Sequence, residues 1–424
     1  MKLIPHLALA FCVALPVTIL GIAQDSLPPF EQPPTRNAVE ILKPEFLTGP
    51  GFRVQPSVPA YSGSHHFTLF AESENMPDSI RIDGNALLAQ RVAEFHAIAK
   101  LKEVAGTKQY ASALANAAKS PLNLAKNLIE HPTDTITGIP KGLWKFVNRA
   151  GNAIEDAANP TPSNPYEDAK AKELIGFSKA KRELALQLSV DPYSSNPDLQ
   201  TELNRVAWAG YAGKMTLSGI TFGVGGPIGA TFSISGATQS LSDVLRDNNP
   251  SELRKLNLKA MEEMNVPKTT AQTFVQNPVF SPSAQTALVL ALQAVPADNR
   301  ASFIQLANEN CSHETDVIFL VYTANLIAHL HHNGYPVARF DTLGALPICF
   351  LQDGSLMAAL HWDYACWTNL SNQFVQGLAG IKPFGKTPPR TIVAISGDFS
   401  PTLTQVANSL KIQLLPRQTN VVLK

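Results

Sequence analysis

The side chains best suited to chemistry lie late in the chain. His361 and Asp363 follow the apolar run 356–360, and Asp398 follows the apolar run 391–395. An imidazole beside carboxylates can do general acid–base work or assist a metal-dependent hydrolysis, because histidine titrates near neutrality and a carboxylate orients it. If the two runs are neighbouring parallel strands, all three residues stand beyond the carboxyl ends, where ligands of α/β sheets gather. His361, Asp363 and Asp398 are therefore the candidate catalytic group. The plainer alternative assigns the two aspartates to turns and helix starts. A second candidate is the polar turn Asp191-Pro192-Tyr193-Ser194-Ser195-Asn196-Pro197, where Tyr193, Ser194 and Ser195 form a binding loop if they face a cleft.

Other groupings lack the spacing their chemistry needs. His313, Glu314 and Asp316 do not make His-Glu-x-x-His, and His329 with His332 has no evident carboxylate partner. No cysteine pair has metal-ligand spacing, so no metal is expected. Gly223-x-Gly225-Gly226 continues to Ile228 where a dinucleotide loop needs glycine, and no Lys-Ser or Lys-Thr follows Gly229. No cofactor is expected.

The elements that must position the candidates form a small α/β module. Runs 337–340, 346–351 and 356–362 read as strands, the last two joined at Asp353-Gly354. A helix over 369–381, a buried strand over 391–395, a helix over 402–410 begun by Ser400-Pro401, and a last strand over 412–415 complete it. The stretch 356–395 resembles a right-handed β-α-β crossover. The order helix, three strands, helix, strand resembles the core of restriction-endonuclease-like nucleases, but no Glu-x-Lys or Asp-x-Lys stands on the 356–362 strand. Topology without those residues transfers no activity.

Upstream the chain reads as helical. Asn85 can cap a helix with Leu88, Val92, Phe95, Ile98 and Leu101 at helical spacing. Residues 142–157 form a basic amphipathic segment that either faces a core or touches a membrane. Residues 159–165 are a proline-rich break, 166–188 a charged helix, and another helix begins near Pro197. Ser251 can cap 252–264, and a helix is expected over 281–295. From Ala297 to Asn333 no Gly or Pro occurs, which makes either one long helix or two with a bend near Cys311-Ser312-His313. Before all this, 24–62 is a proline-rich extended strap, and Phe67–Phe70 with Ile80–Ile82 imply a small hairpin.

Residues 215–242 carry no charge, yet glycine, serine and threonine make up more of the segment than large apolar residues do. A helical hairpin with close backbones or a β-hairpin about Gly225-Gly226-Pro227 fits better than a lone lipid-facing helix. Either sits in the core or against a membrane. Residues 1–23 read as a secretory signal, with Lys2 as their one charge, an apolar run, and Gly21-Ile22-Ala23 before a cut at Gln24. Cys12 leaves with it, and an odd set of Cys311, Cys349 and Cys366 remains, so disulfides are not the framework.

With 34 basic against 34 acidic residues, a polybasic nucleic-acid binder is excluded as the default, and no nucleic-acid partner is expected. The fold class expected is α+β, a predominantly helical body with an N-terminal hairpin (63–158 including its helices), a helical region (159–334) and a C-terminal α/β module (335–424). The function expected is an exported scaffold or interaction protein whose partner is a membrane or another protein. An exported hydrolase or secreted effector using the strand ends is the alternative.

Overall fold

The computed structural model describes residues 27–73, 75–118, 172–216 and 238–418. The expected leader, the basic segment 142–157, the proline-rich break 159–165 and residues 217–237 of the uncharged segment lie outside the described residues. The chain is a mixed helical and sheet protein.

At the N-terminal side, β1 (Thr35–Asn37), β2 (Thr48–Gly49), β3 (Phe52–Val54), β4 (Ser57–Tyr61), β5 (Ser64–Ala71) and β6 (Ser79–Asp83) form one six-stranded sheet, with helical turns α1 (Ala38–Ile41) and α2 (Pro44–Leu47) between the first strands. The expected hairpin is present as the antiparallel pair β5–β6, with Phe67 opposite Ile82 and Leu69 opposite Ile80. The expectation that 24–62 is merely an extended strap is corrected from Thr35 onward. Of the four prolines there, Pro44 sits at a helix start, Pro50 and Pro56 lie between strands, and Pro59 is in strand β4, which pairs on one side with the short β1. Proline is tolerated at each of these positions. Residues 27–34 form the segment's one longer described stretch without regular structure.

Helices α3 (Asn85–Ala105), α4 (Lys108–Ala118), α5 (Lys172–Gln187) and α6 (Pro197–Tyr211) pack with this sheet around one core that includes Phe46, Phe67, Leu88, Phe177, Leu203 and Trp208. Pro197 stands in the first turn of α6, and the Asn196 side chain accepts from the Asp198 and Leu199 amides.

The second core is helical. It holds α7 (Thr238–Asp247), α8 (Pro250–Glu263), α9 (Lys268–Gln276), α10 (Pro282–Gln293), α11 (Ala301–Asn310) and α12 (Glu314–His332). Of the two alternatives for 297–333, the structure has two helices. Asp316 accepts from the Ser312 and His313 amides, and that cap stops the first helix from continuing into the second. The cap of α8 is Asn249, in a reciprocal capping box with Glu252, rather than Ser251. Pro250 explains the shift, since it suits the first helical position and places the cap one residue before it.

The C-terminal sheet contains β7 (Val337–Leu343), β8 (Leu346–Leu351), β9 (Leu356–Leu360), β11 (Thr391–Ile395) and β13 (Ile412–Leu415), in spatial order β13-β11-β9-β8-β7. β7, β8 and β9 pair antiparallel, while β9, β11 and β13 are parallel. Parallel neighbours require crossovers, supplied by α13 (Asn369–Gly380) and α14 (Pro401–Ser409). Beyond the main sheet, β10 (Tyr364–Ala365) and β12 (Asp398–Phe399) form a two-stranded parallel ribbon.

Alternation along β9 and β11 divides their side chains between two cores. Met357, Ala359, Ile392 and Ala394 join the helical core, whereas Leu356, Ala358, Leu360, Val393 and Ile395 face α13 and α14. A strand buried on both faces must be apolar throughout, which is why β9 reads Leu-Met-Ala-Ala-Leu. The helical core therefore continues across residue 334 into the sheet. All three described cysteines are buried free thiols.

Candidate functional site

A cavity of about 430 Å³ opens where the N-terminal sheet, α3, the 191–196 turn and the first turns of α10 and α12 meet. Tyr193, Ser194 and Ser195 all line it. The turn is built around Asp191. Its Oδ1 accepts from the Tyr193 amide at 2.8 Å and from the Ser283 hydroxyl at 2.5 Å, while Oδ2 accepts from Ser281 at 3.4 Å. Burial pushes the Asp191 carboxyl up to about 6; the hydrogen bonds from Ser283 and the Tyr193 amide oppose this, and the nearby Glu94 charge adds to it.

Behind the turn lies a buried ion network. Arg91 donates through Nη1 to both oxygens of Glu94 at 3.0 Å, and through Nη2 to the Ser195 hydroxyl at 3.0 Å and to the Glu314 carboxylate. Glu94, 0% exposed, also accepts from the Ser194 hydroxyl at 2.6 Å and the Asn196 amide nitrogen at 3.0 Å. The Ser195 hydroxyl lies 3.2 Å from each Glu314 oxygen. Burial works to lower the Arg91 pKa, but the charges of Glu314 and Glu94 outweigh it and hold the guanidinium above its ordinary value. A buried charge this heavily partnered stays ionised, and the hydrogen bonds hold each group in one orientation.

The opposite wall belongs to the sheet. Asp83 accepts from Arg81 Nε at 2.8 Å and lies 2.6 Å from His66 Nδ1. Burial would raise the Asp83 carboxyl, yet the hydrogen bonds with His66 and Arg81 keep it below the usual value. Arg81 Nη2 donates to the Tyr61 hydroxyl at 2.8 Å, and the Tyr61 ring stacks on His66 with centroids 3.6 Å apart. His66 Nε2 lies 3.0 Å from the Tyr61 carbonyl oxygen, a contact that needs the proton on that nitrogen. Both ring nitrogens of His66 are thus engaged, Nδ1 with Asp83 and, at 3.0 Å, Arg81 Nη2, and Nε2 with the Tyr61 carbonyl. It fixes the wall.

The first candidate group fares differently. Asp363 Oδ2 accepts from the His65 amide at 3.0 Å and the Asn85 amide at 3.1 Å, so it joins β5 and the start of α3 to the C-terminal module. Asp398 pairs with Arg417 at 2.8 Å, on the other side of the ribbon's backbone contact. His361 donates its amide to the Thr323 hydroxyl at 3.0 Å and its ring lies on Tyr322, with centroids 4.8 Å apart. Burial lowers the His361 pKa, with the Asp363 charge opposing. No hydrogen bond links any two of the three side chains. The strands are neighbours as expected, but the side chains are directed to separate partners. Gly397 explains how close the backbones come, since a Cβ there would lie 1.8 Å from the Asp363 carbonyl oxygen.

Arg91, Glu94 and Glu314 went unmarked in the sequence reading, which took Glu314 only as part of a failed metal motif. A signal for the first two existed. Arg91 lies three residues after Leu88 and four before Phe95, on a face otherwise apolar, and Glu94 follows it by three. Charged residues in that position are buried only when partnered. Among the described residues no three His, Cys, Asp or Glu side chains gather as a metal site, and no helix is long and apolar enough to cross a membrane. No protein-family model, no curated protein and no solved structure matches the chain.

Proposed function

We propose that this is an exported binding protein that holds a small organic molecule in the cavity between its N-terminal sheet and the first turns of α10 and α12. The carrying observation is the Arg91–Glu94–Glu314–Ser195 network, which sets polar groups of one wall in place without help from a ligand. Preorganised polar groups in a largely apolar concavity are the usual form of a small-molecule site. Export is read from the leader-like residues 1–23.

The wall chemistry favours a neutral or cationic molecule rich in hydrogen-bond donors. Asp83, Asp191, Glu314 and Asp316 line the cavity against two arginines, Arg81 and Arg91, and both arginines already hold carboxylates. Tyr61 and Trp362 add aromatic surface, and serine hydroxyls from five segments supply neutral partners. An anionic molecule would meet uncompensated negative charge.

The test is a thermal-shift and calorimetric screen of the mature protein against neutral saccharides, polyamines and dicarboxylates. Binding of a neutral or cationic compound, lost in Ser195→Trp, is expected. Preferential binding of dicarboxylates, or binding unaffected by Ser195→Trp, would overturn this reading.

A further inference from the structure

The groove beyond the strand ends of the C-terminal module is occupied by the chain itself. Residues 27–31 run without regular structure between the starts of α13 and α14. The Glu31 carboxylate accepts from the Trp367 amide at 2.6 Å and from the Ser400 hydroxyl at 2.5 Å. Ser400 is also the cap of α14, accepting from the Leu403 amide at 3.1 Å, so one hydroxyl links the helix start to the carboxylate. The Glu31 amide donates to the Trp367 carbonyl at 2.7 Å. The Trp367 indole donates to the Pro28 carbonyl at 3.0 Å, and the Phe30 ring lies 5.8 Å from the Trp367 ring.

These contacts read a peptide. One backbone amide and one carbonyl are paired, an indole bonds the carbonyl of a proline, an aromatic ring meets the indole at a tilt of 52°, and two donors near helix starts take a carboxylate. Each is a feature by which proteins recognise extended proline-rich or acidic segments. The place is also where open α/β sheets bind ligands. The hold is light. Phe30 remains 50% exposed, and Gln32 and Pro33, which lead away from the groove, are exposed as well.

We propose that this groove, bounded by Trp367 and Ser400, is a receptor for an extended acidic, proline-rich segment of another protein, and that residues 27–31 are a resident ligand that such a segment displaces. A segment tethered in cis competes at high effective concentration, so trans binding to the native chain is weakened and release of the strap strengthens it. The cavity described above plays no part in this.

The probe is a labelled peptide of residues 27–34, Leu-Pro-Pro-Phe-Glu-Gln-Pro-Pro, with its Glu-to-Lys version as control. Against the full mature chain carrying Glu31→Lys, binding at least tenfold tighter than to wild type is expected, with none for the control peptide. Equal affinity for the two proteins, no binding to a Glu31→Lys chain whose circular dichroism and melting are native, or a strap-exchanged dimer in place of peptide binding would each overturn the proposal. If Glu31→Lys does not fold, hydrogen exchange on wild type decides. Excess peptide, and not the control, must speed exchange at the Glu31 amide; unchanged exchange overturns the proposal.

Discussion

Arg91 and Glu314 stand 223 positions apart in the chain, and their side chains meet in a half-buried ion pair that fastens α3 to the first turn of α12. The contact joins the N-terminal core to the helical core at the wall of the cavity. Its neighbours Glu94 and Ser195 make it a network rather than a pair.

Removing one partner should cost more than removing two. Arg91→Met leaves the fully buried Glu94 without its cation, and a loss of about 3 kcal/mol is expected in urea unfolding. Adding Glu94→Gln should recover at least half of it, because the fully buried carboxylate is then neutral and the charge left without its cation, Glu314, is partly exposed. Equal losses in the single and double variants would contradict a buried network.

Asp191 sets a pH dependence of definite sign. Its folded pKa, about 6, lies above the ordinary 3.8, so the folded state retains a proton that the unfolded state gives up. The stabilisation is complete below about pH 4, falls as pH rises to 6 and is absent above that, with a slope of at most about 1.4 kcal/mol per pH unit. Asp191→Asn keeps an acceptor for the Tyr193 amide and Ser283, and should flatten stability across this interval. Melting temperatures of both proteins from pH 4 to 7 provide the comparison.

Asp363 should behave as a connector. Asp363→Ala leaves the His65 and Asn85 amides without their acceptor and is expected to cost about 2 kcal/mol, whereas Asp363→Asn retains a carbonyl oxygen and should cost less than half as much. Exchange at those two amides should rise in the alanine variant alone. A catalytic carboxylate would show the opposite pattern, with stability kept and activity lost in the asparagine variant.

Gly63 holds Trp362 against the sheet. Its φ is +83°, and a Cβ would lie 2.4 Å from the Trp362 ring. Gly63→Ala should destabilise by about 2 kcal/mol and push that ring from its place at the cavity. A change in tryptophan emission that vanishes in a Trp362→Phe background would report the displacement.

How much was legible in the sequence follows from how local each feature is. The hydrophobic period of α3, the Asn196-Pro197 start of α6, and the apolar run of β9 depend on near neighbours, and each was readable within a turn or two of chain. The cap at Asn249 was missed by two residues because Pro250 outranks Ser251 at a helix start. The six-stranded N-terminal sheet was read as a hairpin because β1, β2 and β3 are two or three residues long and have no period of their own; β1 takes its place from β4, β3 from β5, and β2 from β3.

The candidate residues divide in the same way. Sequence by itself determined that Tyr193, Ser194 and Ser195 lie in a tight polar turn, that β9 and β11 are buried strands, and that charge is balanced. Only the tertiary structure decided that this turn faces a cavity, since Glu94, Glu314 and Ser283 reach it from three separate helices. It alone decided that Asp363 holds two backbone amides and that Asp398 turns to Arg417. A side chain's task depends on which donors lie within about 3 Å of it, and those donors come from separate segments, up to 298 residues away for Asp363, whose approach no local pattern encodes.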